Sequence, residues 1–251
     1  MAYDTDLTPL LAQCTDEDLN TLVEYIKEKG GITENLTIHE DYKKYNPQHS
    51  KYMPVIVDEI QRFCGDTFAN LVRGGGVPYM KIVKKVASKL HVEYNDDMSI
   101  REIEQNIIAK IIKDAWEKMD EKERIAILEE ANVDINNLDE ESKKIFINGN
   151  FSAFTGAGAS MAFIQLLINL TGFQAYQMSV IVANLVARTI LGHGLALGTN
   201  AAITRGLAVF AGPVGWVISG LLMAPLVSGP AYRVIVPCVI HIAMLREKYS
   251  K

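Results

Sequence analysis

At 251 residues the chain has room for one large domain or two small ones, and 49% of its residues are apolar, an ordinary fraction for a folded protein. Its three cysteines, Cys14, Cys64 and Cys238, are odd in number and far apart, which excludes a disulfide framework and a paired-cysteine zinc site. The net charge of −5 is unevenly spread: of 25 bases and 30 acids, eight bases and one acid lie beyond Ser142, so the two halves are expected to meet different environments.

The first residues are acidic and polar, without the basic and apolar regions of a secretory signal. Free thiols fit a reducing compartment, so the N-terminal half is expected in the cytoplasm. Residues 6–12 allow one short helical turn. Thr15 then caps a helix whose first turn holds Asp16, Glu17 and Asp18, where carboxylates meet the positive end of the helix dipole. Leu19, Leu22, Val23 and Ile26 share one face, and Gly30 and Gly31 end the run. Residues 32–50 read as a polar loop with one helical turn. His39 and His49 lie near Glu40, Asp41 and Glu59, but their spacing matches no metal loop and no metal is assigned.

Residues 51–72 have a helical apolar pattern interrupted at Gly65. Then come Arg73, Gly74, Gly75 and Gly76, followed by a helix over 78–90 that starts at Pro78. A glycine-rich turn before a helix start offers free N–H groups to an anion. Lys81, Lys85 and Lys89 recur every four residues beside Lys84, a basic face in an acidic half. These eight residues, Arg73 to Gly76 with the four lysines, form the candidate site for an anionic ligand such as a nucleotide, a short nucleic acid or a lipid headgroup. The plain alternative is a solvated lysine face. A Walker motif is excluded, because no Gly-Lys-Ser/Thr follows the glycines.

Ser99 and Glu102 form a capping box before a helix with Ile100, Ile103, Ile107, Ile108, Ile111, Ile112, Ala115 and Trp116 on one stripe. Further helices are expected over 120–131 and 138–146. The first 145 residues therefore read as an all-α domain with a sensor or regulatory role. Residues 146–251 read as a second, apolar module.

That module is almost without charge. Residues 145–187 hold no acid, base or histidine, nor do residues 206–232. Four apolar helices are expected, over 151–171, 174–198, 206–227 and 231–245. At ~1.5 Å per residue the first just crosses a hydrocarbon core of ~30 Å, and its small residues allow close helix approach. Missing polar faces argue against water as their surroundings. Seven of the eight bases beyond Ser142 fall on one side of such a threading, as the positive-inside rule asks. Arg188, His193, Arg205 and Arg233 are then the polar groups within or beside the membrane, candidates for lining a path that favours anions. Against this, Gln165, Asn169, Gln174, Gln177, Asn184, Arg188 and Asn200 are numerous for lipid-facing helices and would suit a soluble core. A third state joins the two: a soluble form that hides an apolar hairpin and inserts on a trigger.

Catalysis is not expected. The stretch from Gly156 to Ser160 superficially matches a dinucleotide loop or a nucleophile elbow, but no strand precedes it and Ala162 stands where the elbow needs glycine. No cofactor motif is present.

The runs GPVGWVISG at 212–220 and SGPAYRVIVPCVIHIA at 228–243, with EIQRFCG at 59–65 and RGGGVPY at 73–79, resemble the YaaW-like family of uncharacterised bacterial proteins. Part of it is sometimes grouped with ubiquinol–cytochrome c chaperone-like helical domains. The resemblance implies a bacterial origin and an α-helical domain before an apolar module, and brings no catalytic residue. Taken together, the expectation is a homo-oligomeric bacterial inner-membrane protein with a cytoplasmic N-terminal domain. It would be a channel or membrane-perturbing effector in defence or growth arrest, gated by an anionic ligand. The alternative is a soluble helical scaffold or chaperone-like assembly factor.

Overall fold

The structure, a computed structural model, describes residues 3–28, 35–63, 76–196, 220 and 230–250. Among them all regular structure is helical. In chain order the helices are α1 (Thr8–Leu11), α2 (Asp16–Lys27), α3 (Glu40–Tyr45), α4 (Met53–Phe63), α5 (Tyr79–Lys89), α6 (Ile100–Lys118), α7 (Glu121–Glu130), α8 (Glu140–Ser142), α9 (Ala159–Thr171), α10 (Ala175–Leu191) and α11 (Pro230–Tyr249). A 3₁₀ turn, His49–Tyr52, leads into α4, and a π-helical turn, Lys143–Ile147, follows α8.

Local chemistry sets the starts. Thr15 with Asp18, Ser99 with Glu102 and Asp120 with Glu123 form capping boxes at α2, α6 and α7, each satisfying two amides that the first helical turn leaves open. Helices α2, α4, α5 and α6 each turn an apolar stripe inward. In α6 the stripe includes Ile103, Ile107, Ile111, Ile112, Ala115 and Trp116, all buried.

The helix at the centre is α11. Every side chain from Val234 to Leu245 is buried, whereas a surface helix keeps one polar face. Its neighbours are α10 on one side and α1, α2, α4, α5 and α6 around the rest. The most deeply buried helix is therefore enclosed by α10 and by helices of the acidic half of the chain. Helix α9 lies across α6. Phe163 of α9 meets Trp116, Phe146, Phe151 and Phe154 at ring distances of 5.6–6.1 Å, a spacing typical of favourable aromatic pairs. Arg124 donates to the carbonyls of Trp116 (3.1 Å), Met119 (2.6 Å) and Ile147 (2.8 Å), which ties the end of α6 to the chain entering the apolar half.

Three of the four expected membrane crossings fall on described residues and need correction. No single described helix is long and apolar enough to cross a membrane. The first segment becomes helical only at Ala159, because Gly156 and Gly158 take left-handed backbone angles. The resulting 13 residues of α9 reach about 20 Å, well short of a ~30 Å core. The second stops at Leu191, where Gly192 adopts φ +78. Together α9 and α10 have the length and composition for one crossing, but they meet in a bend of 107°. The third segment, 206–227, lies outside the described residues apart from Gly220. The fourth is α11, covered by protein.

Candidate functional site

The expected anion site divides into two parts. Arg73, Gly74 and Gly75 lie outside the described residues. Gly76 packs hard on α4: a Cβ there would come within 2.4 Å of the Gln61 Cβ. The Val77 N–H donates to the Gln61 carbonyl at 3.0 Å. At the start of α5 an anion is already present, supplied by the chain itself. Buried Asp4 accepts from the Tyr79 N–H and from Gln61 Nε2, both at 2.8 Å, through one oxygen. Its other oxygen accepts from the Asp6 and Leu7 amides at 3.0 and 2.9 Å. Such a carboxylate complements the positive end of a helix.

The lysines lie on the outer side of α5. Lys81 and Lys85 are exposed and Lys84 and Lys89 half-buried. Lys84 pairs with exposed Asp96 at 2.7 Å. Lys85 and Lys89 bring their ammonium groups to 5.8 and 5.1 Å from the ring centre of Tyr232, in the first turn of α11, within cation–π range. The lysine face thus converges on the point where the uncharged stretch 206–232 joins the core.

Of the other expected polar residues, Arg188, His193 and Arg233 are exposed rather than sunk in a bundle interior. Arg188 stands beside Gly194, where a Cβ would lie 3.2 Å from its Nε. His193 Nε2 is 3.6 Å from the Glu24 carboxylate of α2. Arg233 is exposed on the first turn of α11, and Arg205 lies outside the described residues. His39 caps α3, and buried His49 bonds Tyr52 and Asn20. Among the described residues no group of three or more His, Cys, Asp or Glu could hold a metal ion.

The polar chemistry that the sequence concealed is buried around α11. Glu104 of α6 accepts from Arg246 Nε at 2.6 Å and from the Tyr79 hydroxyl at 2.7 Å. Burial pushes the Glu104 carboxyl above its ordinary value, while Arg246 and Tyr79 pull the other way. Glu247 accepts from Arg101 at 3.0 and 3.1 Å and from Gln105 at 2.9 Å. Asp18 of α2 accepts from Lys248 and the Tyr249 hydroxyl, both at 2.6 Å. Burial pushes the Asp18 carboxyl up, but these bonds with Thr15's outweigh it and hold it below its ordinary value. His241, fully enclosed, places Nε2 at 3.0 Å from the Asp18 carbonyl and leaves Nδ1 without a partner. The only legible signal was Glu104, a charge beside an isoleucine stripe. Its ion-pair partner Arg246 lies 142 residues away.

Between α6, α9, α10 and α11 lies a cavity of about 180 Å³. A second, of about 200 Å³, lies between α6 and the loop before α9.

These features define a helical protein whose core is built around one apolar helix, held at its C-terminal end by ion pairs to α2 and α6. Comparison with known proteins places the chain in a family: it belongs to the UPF0174 proteins. A UPF0174 protein of Helicobacter pylori strain J99 is 38% identical over 98% of this chain and 92% of its own length. The UPF0174 protein YaaW of Escherichia coli K12 is 30% identical over 98% of this chain and 95% of its own. No family model and no solved structure matches the chain.

Proposed function

We propose that this chain is a homo-oligomeric, membrane-perturbing effector of the bacterial inner membrane that docks through the lysine face of α5. The observation that carries this is the convergence of Lys85 and Lys89 on Tyr232, next to a sequence run, 206–227, without one charged residue. Amines, an aromatic ring and an adjoining apolar segment are the chemistry of an anionic lipid interface. The anionic ligand expected from the sequence is then a lipid phosphate, and α11 stays within the protein core. The buried Asp4 carboxylate at the start of α5 favours headgroup contact along the lysine face over a phosphate held by the helix N-terminus.

The test is flotation of purified full-length protein with vesicles of phosphatidylglycerol and phosphatidylethanolamine, against vesicles of phosphatidylcholine alone, with leakage of a trapped dye. Binding and leakage are expected only on the anionic vesicles, and to weaken with salt. At about 1 kcal/mol per lysine near such a surface, reversing Lys81, Lys85 and Lys89 to Glu lowers affinity by about a hundredfold or more. Equal behaviour on both vesicles, or a triple variant that binds as the parent does, removes the proposal. Protein that stays dispersed and never floats favours the scaffold reading.

A further inference from the structure

The cavity between α6, α9, α10 and α11 has walls of one kind and a floor of another. Ile108, Met161, Ile164, Ile168, Met178 and Ala243 make the walls. Glu104 and Glu247 stand at one side. Gln165 and Ala175, both exposed, mark its opening. Its volume is about 180 Å³. An apolar cavity of ~150 Å³ is already enough to bind benzene.

We infer that this cavity is a binding site for a compact neutral amphiphile, one with an apolar body of benzyl or hexyl size and a hydrogen-bond donor at one end. Size follows from the volume, and the apolar body from the aliphatic and methionine walls. The donor follows from the carboxylates. An ionised carboxylate only accepts, at about four lone-pair positions. Glu104 spends three of these on Tyr79 and Arg246, and Glu247 three on Arg101 and Gln105. Each retains acceptor capacity toward a hydroxyl, and a carboxylate-bearing guest meets like charge instead.

The position gives such a guest leverage. It touches the central helix through Ala243 and both arms of the 107° elbow, α9 through Ile164 and α10 through Met178. Binding that favours this arrangement over an opened one stabilises it through mass action. The inference goes beyond the membrane proposal and does not rest on it, since its readout needs no lipid.

Benzyl alcohol is the probe and benzoate its control, with full-length protein carrying ¹³C-methyl methionine. Benzyl alcohol is expected to shift the Met161 and Met178 methyl signals saturably, to leave those of Met53 and Met119 in place, and to raise the melting temperature. Benzoate is expected to do neither. Met161→Trp, which fills the cavity from a half-buried position, is expected to keep a cooperative melt and lose the response at Met178. Ile168→Trp does the same from another wall should the first variant fail to fold. The inference is overturned if Met161 and Met178 move no more than Met53, if benzoate matches benzyl alcohol, or if a folded filled variant still responds.

Discussion

At the scale of single residues, the chain's most consequential pair is Glu104 and Arg246. Both are drawn out of water, and their hydrogen bond is 2.6 Å long. Removing one partner of a buried pair strands the other, at a cost of about 3–5 kcal/mol. Arg246→Ala is therefore expected to lower stability by about 3 kcal/mol in chemical denaturation, whereas Tyr79→Phe, which leaves the ion pair, costs about 1–2 kcal/mol. Equal losses would mean that Arg246 contributes no more than a hydroxyl. His241 supplies the larger part of the pH dependence, and His49, lowered chiefly by desolvation, adds to it in the same direction. Desolvation lowers the His241 pKa from 6.5 to about 4, against the opposing pull of the Asp18 carbonyl and carboxylate. Tyr25 faces it edge-on, and Lys248 adds a like charge. The unfolded chain then binds the extra proton first, so stability is complete above pH 6.5 and falls as pH drops toward about 4. The loss across that window is about 3 kcal/mol. Asp18, whose carboxyl is held below 3.8, acts only at lower pH. Urea midpoints between pH 7 and 4.5 check this: the parent should lose stability steeply and His241→Gln much less. A flat parent curve would contradict it.

At the scale of elements, the helix starts of the N-terminal half were legible because a cap is written within four residues. The stripe of α6 and the start of α5 could be read for the same reason. Lengths in the apolar half were not. Composition alone cannot tell a stretch that lipid would cover from one that other helices cover, since both demand an uncharged surface. The glycines at 156 and 158 were read as permitting close helix approach and Gly192 as lying inside a helix, whereas their left-handed angles break the run into shorter pieces. The placement of α11 is directly measurable. Cys238 lies in its buried middle, and burial pushes its thiol far above the ordinary value. Cys14 is buried too, with its thiol pushed up to about 12, first by desolvation and then by Asp18. In a Cys64→Ser background neither thiol should react with an aromatic disulfide reagent until denaturant is added. Rapid native labelling of Cys238 would mean that α11 is not seated as described.

Over the whole molecule, the lopsided charge takes on another meaning. It suggested two compartments, yet bases and acids of the two halves meet: Arg246 with Glu104, Lys248 with Asp18, Arg101 with Glu247, His193 near Glu24. The imbalance within each half is in part complementarity between them. A single string could not reveal this, because its last turn, with Arg246, Glu247 and Lys248, reads as an ordinary solvated tail. The candidate site was legible only in part. The α5 lysines were named from their spacing, but the tyrosine they surround lies more than 140 positions further on. The cavity, built from four helices, has no local signature at all.

The order of the helices along the chain has a further consequence. Every described element packed against α11 precedes it, so on the ribosome the hosts emerge before their guest. Until it follows, α2, α4, α5, α6 and α10 present an unfilled apolar cleft to solvent, the kind of transient exposure that draws chaperones or leads to aggregation. Maturation of this protein therefore waits on one late insertion, and a factor that occupies that cleft during synthesis would decide whether the chain closes on itself or is diverted elsewhere.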